Sequence, residues 1–255
     1  MASDLNDSAK RLIKARESQI VSFLSRLDNF LFKNVSKIIR GIEQGNYSAL
    51  QAAQALGGLQ ETLKTAGLGE QVAELISLYG EELRDIKDRF KKTTGKPVIL
   101  NNVDLETTQA LITFDTDVVA NRITGYVDDM KATVMRSVIT GNVPNFNDLH
   151  DEIGGALVNN LNTELNTSLA GFSRTVNLAK AEDLGIDLFL YAGPDDKVTR
   201  DFCAEKVGNI YTRQEIESWD NGQGLPADTY LGGYNCRHRL DPVSAELAAE
   251  LGYAG

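Results

Sequence analysis

The apolar residues in the first part of the chain repeat with the period of an α-helix. Steps of four and three residues separate Ile20, Leu24, Leu27, Leu31, Val35, Ile38 and Ile42. This spacing places all of them on one helical face, in a stripe suited to coiled-coil-like packing. Residues 8–44 are therefore predicted to form one long helix, capped by Asp7 or Ser8 and ended by Gly45. A chain that begins in this way is expected to be mainly α-helical.

Further segments share this periodicity and divide the chain into three predicted parts. Long helices are predicted over residues 48–67, 69–93 and 115–140 and from Asn147 toward Gly185, with a brief helix capped by Asp104 before the third of these. The parts are an N-terminal helical bundle or arm over 1–96, connecting helices over 97–146, and a C-terminal domain over 147–255. The expected fold is mainly α, with long helices followed by a small, loop-rich α+β domain.

The C-terminal domain is organised around residues 193–242, which hold both cysteines, the only tryptophan and three of the five prolines. Its predicted elements are strands over 187–191, 209–212 and 234–240, a helix over 213–219 and a loop over 220–233. Thr199 is expected to N-cap a short helix that Gly208 ends in a left-handed conformation. Asp241 and Pro242 are expected to start a terminal helix.

Cys203, Cys236 and His238 are the candidate chemical site. Cys236 and His238 are two positions apart, which on a strand places both side chains on one face. Thiolate and imidazole are zinc ligands, and a structural zinc site needs four ligands. The candidates for the fourth ligand are Asp201, Asp195 and His150.

Two alternatives for the cysteines need no metal. A disulfide would close a loop of about thirty residues, a link that contributes ~3–4 kcal/mol in the chain-entropy model. The simplest interpretation is that both are buried free thiols, since cysteine packs as a small hydrophobe. A cysteine nucleophile activated by His238 is a further hypothesis, but no third orienting group is evident.

The same segment carries residues in a recognisable order. They are Thr199-Arg200-x-x-Cys203, Gly208-x-x-Tyr211 and Gly232-Gly233-Tyr234-Asn235-Cys236-Arg237-His238. This order resembles the minor head protein domain of tailed bacteriophages, the family named after the F protein of phage Mu. Thr163-Glu164 matches the Thr-Glu pair on the helix that precedes this domain, and the resemblance covers roughly residues 155–243. The chain lacks the Pro-Pro-x-His lead-in of another branch of the family.

The resemblance implies a structural function rather than catalysis. Members of the family lie inside the phage head near the portal, assist head morphogenesis and in some cases leave with the DNA. The implied location is the virion, with the host cytoplasm during assembly, and the implied partners are the portal and other head proteins. Some relatives carry a toxin-like enzymatic domain after this region, and the short stretch after Pro242 leaves no room for one.

Composition and motif content exclude several function classes. The net charge of −10 disfavours a DNA-coating role, because an acidic chain gains nothing from counterion release. There is no phosphate-binding glycine loop, no His-Glu-x-x-His and no Gly-x-Ser-x-Gly, so the prediction is that the protein is not an enzyme. Neither a signal peptide nor an apolar run of membrane-spanning length is found. No cofactor is expected, with zinc as the alternative.

Two roles are open to the N-terminal stripe, as intramolecular core or as a docking face for partner helices or a second copy. The predicted partner-binding residues are Ile20, Leu24, Leu27, Leu31, Val35 and Ile38. In the C-terminal domain, Arg200 and Arg237 are expected to tie down loops, and Trp219 and Tyr230 to supply the core. His150, among acidic residues at a helix start, is expected to be solvated.

Overall fold

A computed structural model describes residues 2–62, 68–140 and 145–253, and these residues are mainly helical. The long helices are α1 (Ala2–Glu43), α2 (Ala49–Thr62), α3 (Leu68–Thr94), α4 (Asn102–Thr140) and α5 (Phe146–Asp183). A small region with a three-stranded sheet follows. The predicted fold class is confirmed, while the end of the predicted helix over 48–67 lies outside the described residues. None of the helices within the described ranges has both the length and the apolar composition needed to cross a bilayer.

The caps explain where the helices begin. α1 starts at Ala2 rather than near Ser8, with Asp4 in its first turn, where a carboxylate favours the positive end of the helix dipole. Ser48 precedes α2 as predicted: its hydroxyl accepts from the Gln51 N–H at 3.3 Å, and the Gln51 side chain accepts from the Ser48 N–H at 2.9 Å. This reciprocal pair satisfies two backbone donors that a helix start leaves free.

The predicted break between Asp104 and residue 115 is wrong, because α4 is one continuous helix. Asn101, and not Asp104, occupies the capping position. The Asn101 side chain accepts from the Asp104 N–H at 2.9 Å, and the Asp104 carboxylate accepts from the Asn101 N–H at 2.7 Å. The start of α5 shifts in the same way, since Asn145 accepts from the N–H of Asn147 at 2.8 Å.

The described residues belong to two compact units, while the predicted division into 1–96, 97–146 and 147–255 stays a prediction. The first unit comprises Met1–Gln19, Leu78–Leu111 and Thr163–Gly255, and the second Ile20–Ser77 and Ile112–Asn162. Helices α1, α3, α4 and α5 contribute segments to both units. Each unit therefore combines segments that are distant in the sequence.

The first unit contains the sheet, in the order β2-β1-β3 with antiparallel pairing. Its strands are β1 (Leu188–Ala192), β2 (Ile210–Thr212) and β3 (Arg239–Pro242). The first two match the prediction. The return strand starts later than predicted, because residues 234–238 form a turn and a loop. Asp241 and Pro242 end this strand instead of starting a helix; Ser244 caps the terminal helix α9 (Ala245–Glu250) by accepting from the Leu247 N–H.

Side chains of β1 alternate between two cores, as the period of a strand requires. Phe189 and Tyr191 face a cluster that includes Leu178, Leu240 and both cysteines. Leu190 and Ala192 face a second cluster, which receives Leu5, Ala9, Val243 and Ala248. The strand is therefore buried on both faces, and it anchors the segment 193–242 that follows it.

Three short helices complete this region: α6 (Asp201–Ala204), α7 (Arg213–Glu217) and α8 (Ala227–Tyr230). α8 lies in the segment predicted to be loop. Trp219 packs in the core as predicted, with its ring centroid 4.8 Å from that of Tyr211 and 5.9 Å from that of Phe202. Tyr230 instead pairs with Tyr234 and does not belong to the central cluster.

The apolar stripe of α1 forms core in the second unit. Ile20, Leu24, Leu27, Leu31 and Val35 are each at most 3% exposed. After Val35 the buried positions are Ile39 and Ile42, while Ile38 is half-buried. The 3.6-residue period of a straight helix favours this step of four over the heptad step to Ile38. A role in partner binding for the buried five would require them to leave this core, and it stays a prediction.

Candidate functional site

Three side chains with metal-ligating atoms meet in the first unit. Cys203 lies on α6, and Cys236 and His238 lie in the loop before β3. The two Sγ atoms are 3.9 Å apart, and the Cys236 Sγ is 3.7 Å from the His238 Nδ1. All three side chains are buried and both thiols are free. The cluster predicted from the sequence is therefore present, without a disulfide.

Cys236 and His238 do not share a strand face, as the two-residue spacing suggested. Both residues precede β3, and the Cys236 N–H closes a turn on the Gly233 carbonyl at 3.1 Å. The turn and the loop bring the two side chains together. Among the described residues, none of the predicted fourth ligands joins the cluster: Asp195 and Asp201 are exposed, and His150 belongs to the second unit.

A backbone carbonyl sets the tautomer of His238. Its Nε2 lies 2.7 Å from the Pro194 oxygen. A carbonyl oxygen only accepts hydrogen bonds, so Nε2 carries a proton, and in the neutral ring Nδ1 then presents a lone pair. That lone pair is on the nitrogen nearest to Cys236.

Arg174 holds the backbone beneath the cluster and was not predicted. Its guanidinium donates to the carbonyls of Thr229 at 2.8 Å, Cys236 at 2.7 Å and His238 at 2.6 Å. The side chain is 1% exposed. The available signal in the sequence was that Arg174 is the single charged residue between Leu165 and Leu178 on α5. A lone charge in an apolar helix segment indicates a fixed set of partners.

The two thiols differ in acidity because of their surroundings. The hydrogen bond to Cys203 lowers the pKa of Cys236; burial opposes this, and the charge of Arg174 and the contact with His238 add to the lowering. The hydrogen bond with Cys236, together with burial, raises the pKa of Cys203. A thiolate in this pair therefore forms first on Cys236, beside the guanidinium and the imidazole.

The glycines of the motif allow the close approach of the two cysteine segments. A Cβ atom at Gly232 would lie 2.4 Å from the Cys203 Sγ, which is far below a normal contact. Gly233 follows with φ of +90°, a conformation that side chains disfavour. Gly208 adopts φ of +85° after α6, as predicted, and its N–H donates to the Tyr191 carbonyl at 2.8 Å.

The remaining motif residues tie the surrounding loops together. Thr199 does not cap α6: its hydroxyl donates to the Pro194 carbonyl at 3.1 Å and accepts from the Asp196 N–H at 3.0 Å. Arg200 occupies the capping position without a side-chain cap and donates to the Tyr234 carbonyl at 2.8 Å. Arg237 donates two hydrogen bonds to the Asp196 carboxylate. Both arginines thus have the predicted structural contacts.

The motif residues line a cavity of about 20 Å³, bordered by the three cluster residues together with Thr199 and Asn235. This volume admits one water molecule or one ion. A larger cavity of about 420 Å³ in the same unit lies beside Gly185, Asp187 and Ser244. The Ser244 hydroxyl there accepts the α9 capping bond from the Leu247 N–H at 3.2 Å, which is a structural contact.

His150 was predicted to be solvated, and this is wrong. It is buried in the second unit, with its ring edge-to-face on Phe32 at 4.8 Å between centroids. Its Nδ1 lies 3.3 Å from the Tyr126 hydroxyl, and its Nε2 lies 3.3 Å from the Asp28 carboxylate. The acidic neighbours in the sequence concealed this burial because they lie on other faces of α5.

No protein-family model, no curated protein and no solved structure matches this chain. A function can thus be inferred only from the chemistry of the residues themselves and from the order of the motif.

Proposed function

We propose that the protein is a minor head protein of a tailed bacteriophage, which acts inside the head by binding the portal and other head proteins. Support from the sequence is the order and spacing of the motif from Thr199 to His238. The observation that carries the proposal is that these residues make contacts within one small domain. Contacts of this kind stabilise a fold, and the role in assembly is inferred from the resemblance of the motif to the minor head protein family.

Each contact of the motif joins two parts of that domain. Arg237 joins the segment before β3 to the Asp196 turn, and Arg200 reaches the carbonyl of Tyr234. The Tyr211 ring packs edge-to-face against Trp219, and Gly232 allows the approach of Cys203. Together they fix α6, β2 and the loop before β3 as one body.

The dimensions of the site favour a structural role over catalysis. The cavity at the cysteines has about 20 Å³, whereas pockets for small organic ligands span roughly 300–1,000 Å³. The pKa of Cys236 is lowered by its surroundings, but the side chain is only 2% exposed. A substrate carbonyl or phosphoryl group has no access to this sulfur, so we propose no cysteine-based activity.

The charge supports attachment through protein contacts. With a net charge of −10, the chain is repelled by packaged DNA. A position within a filled head then depends on contacts with other head proteins. The same charge argues against sequence-specific nucleic acid as a partner.

Coexpression with the cognate portal tests the proposal. We expect a complex that survives nuclease treatment and moderate salt. Gly232→Val, which disrupts the motif domain, should reduce complex formation, whereas Gly155→Ala, in open space on α5, should not. Recovery only together with DNA, with a steep dependence on salt, would overturn the proposal.

A further inference from the structure

Two of the three pairs of ligand atoms in the cysteine–histidine cluster have the separation expected around a tetrahedral metal ion. With Zn–S of about 2.3 Å and Zn–N of about 2.0–2.1 Å, tetrahedral geometry separates two sulfurs by about 3.8 Å, and a sulfur from a nitrogen by about 3.6 Å. The corresponding distances here are 3.9 Å and 3.7 Å. The third pair, Cys203 and His238, lies within 4.8 Å.

We propose that Cys203, Cys236 and His238 bind one Zn²⁺ ion, which joins α6 to the loop before β3. Two thiolates and an imidazole are a ligand set that zinc prefers over hard cations such as Mg²⁺ and Ca²⁺. The inference stands on the ligand geometry and does not depend on a role in a phage head.

The orientation of His238 is that of a metal ligand. In metal sites the second ring nitrogen of a histidine usually donates to a carbonyl or a carboxylate, which fixes the ring and its tautomer. The Nε2 contact with the Pro194 oxygen provides this, and it leaves the Nδ1 lone pair toward the sulfur of Cys236. The Pro194 oxygen also accepts from Thr199, so two donors hold the carbonyl that orients the ring.

Neighbouring buried groups would stabilise the negative charge of the thiolates that zinc binding creates. In the part of the chain that the structure describes, the Arg174 guanidinium hydrogen-bonds to carbonyls and has no carboxylate partner. Two thiolates would supply negative charge beside it. Tyr191 is fully buried, and among the described residues its hydroxyl has no well-aligned hydrogen-bond partner, yet it interacts with the Cys203 thiol. Its O–H could donate to a zinc-bound sulfur.

From the residues that the structure describes, no fourth side chain joins the cluster. The cavity of about 20 Å³ borders all three ligands, and this volume fits one ion. The proposed site would thus be a Cys₂His centre with water as its fourth ligand. Cys203 and Cys236 are 33 positions apart, so the ion would connect distant parts of a loop-rich domain.

The test measures zinc in the full chain purified under reducing conditions with added Zn²⁺ and then freed of excess metal. We expect about one zinc ion per chain by elemental mass spectrometry. Co²⁺ in its place should give thiolate-to-metal charge-transfer absorption. Cys203→Ser, Cys236→Ser and His238→Gln should each lose the stoichiometric metal and this absorption. His150→Gln, a matched change of the other histidine, should retain both.

A second measurement uses the chain without substitutions, so it tests the proposal even if the variants fail to fold. Bound zinc should slow alkylation of the two thiols by iodoacetamide, and a chelator should restore the faster rate. Zinc content far below one per chain, or alkylation unaffected by zinc, would overturn the proposal. Full zinc binding by Cys236→Ser would overturn it as well.

Discussion

Arg89 on α3 and Asp241 in β3 form a buried ion pair, although they lie 152 positions apart in the sequence. The Arg89 Nε donates to one carboxylate oxygen of Asp241 at 3.0 Å, and a second guanidinium nitrogen donates to the other. Arg239 adds a bond from its own Nε at 2.9 Å. Asp241 thus links α3 to the sheet and balances two buried cations.

This ion pair predicts loss of stability in acid. Burial raises the pKa of Asp241, but the charges and hydrogen bonds of Arg239 and Arg89 more than offset this and hold the pKa below its usual value. The folded state then binds fewer protons than the unfolded state, so the stabilisation is complete above about pH 4 and lost as pH falls through the folded pKa. Urea unfolding should show a falling free energy of unfolding below about pH 4.

The variant Asp241→Asn isolates this contribution. It should lower the free energy of unfolding at neutral pH by about 3–5 kcal/mol, because two guanidinium groups lose their buried counter-charge. It should also flatten the acid dependence. Asp201→Asn, an exposed change on α6, should stay within about 0.5 kcal/mol of the unmodified chain. An acid dependence unchanged in Asp241→Asn would contradict this account.

Gly232 predicts a steric effect at the cysteine cluster. Gly232→Ala places a methyl group 2.4 Å from the Cys203 Sγ, and overpacking of this kind costs about 1–3 kcal/mol. Gly155→Ala on α5 meets nothing within 4 Å and should stabilise the helix by about 0.5–1 kcal/mol. Thermal unfolding of the two variants should therefore shift in opposite directions. Shifts of the same sign would refute the steric account.

Periodicity predicted the long helices well, because a helix that buries one face needs an apolar residue at every third or fourth position. The helix starts were less predictable. Asn101 and Asp104 are both good capping residues, and the sequence does not show which of them precedes the helix. In the structure their reciprocal hydrogen bonds place Asn101 at the cap and Asp104 in the first turn. The continuity of α4 followed from that choice.

The residues of the candidate site could be predicted, but the buried charged residues around it could not. The motif contains Cys203, Cys236 and His238, which the structure brings together. Arg174 and Asp241 could not be assigned, since a buried charge depends on which carbonyls or cations converge on it from distant segments. The burial of His150 was missed for the same reason, because its partners Tyr126 and Asp28 come from other helices.

Arg174 predicts a large effect on the small domain. Arg174→Met keeps the length of the side chain but leaves the carbonyls of Thr229, Cys236 and His238 without this donor. Unpaired buried acceptors cost about 1–3 kcal/mol each, so we expect a loss of at least about 3 kcal/mol in the free energy of unfolding. Fluorescence of Trp219, the only tryptophan, reports the unfolding of this domain directly.

Arg213→Met is the matched control for Arg174→Met. Arg213 forms ion pairs with Glu182 and Glu217 at the surface, and the three side chains are partly exposed. Surface pairs contribute about 0–1 kcal/mol, so the fluorescence transition should move little. Equal effects of the two substitutions would show that the hydrogen bonds of Arg174 do not make a special contribution to the stability of this domain.

Leu31 on α1 separates the two roles considered for the apolar stripe. It is 1% exposed in the core of the second unit, so Leu31→Ala should lower the free energy of unfolding by about 2–5 kcal/mol. Val21 on the same helix is 61% exposed, and Val21→Ala should change it by no more than about 0.5 kcal/mol. Urea unfolding followed by the circular dichroism of the helices measures both.

Under conditions in which it stays folded, Leu31→Ala should still bind the portal, since a core residue does not contact a partner. If Leu31→Ala instead keeps full stability and abolishes the complex, the stripe is a docking surface and not a core.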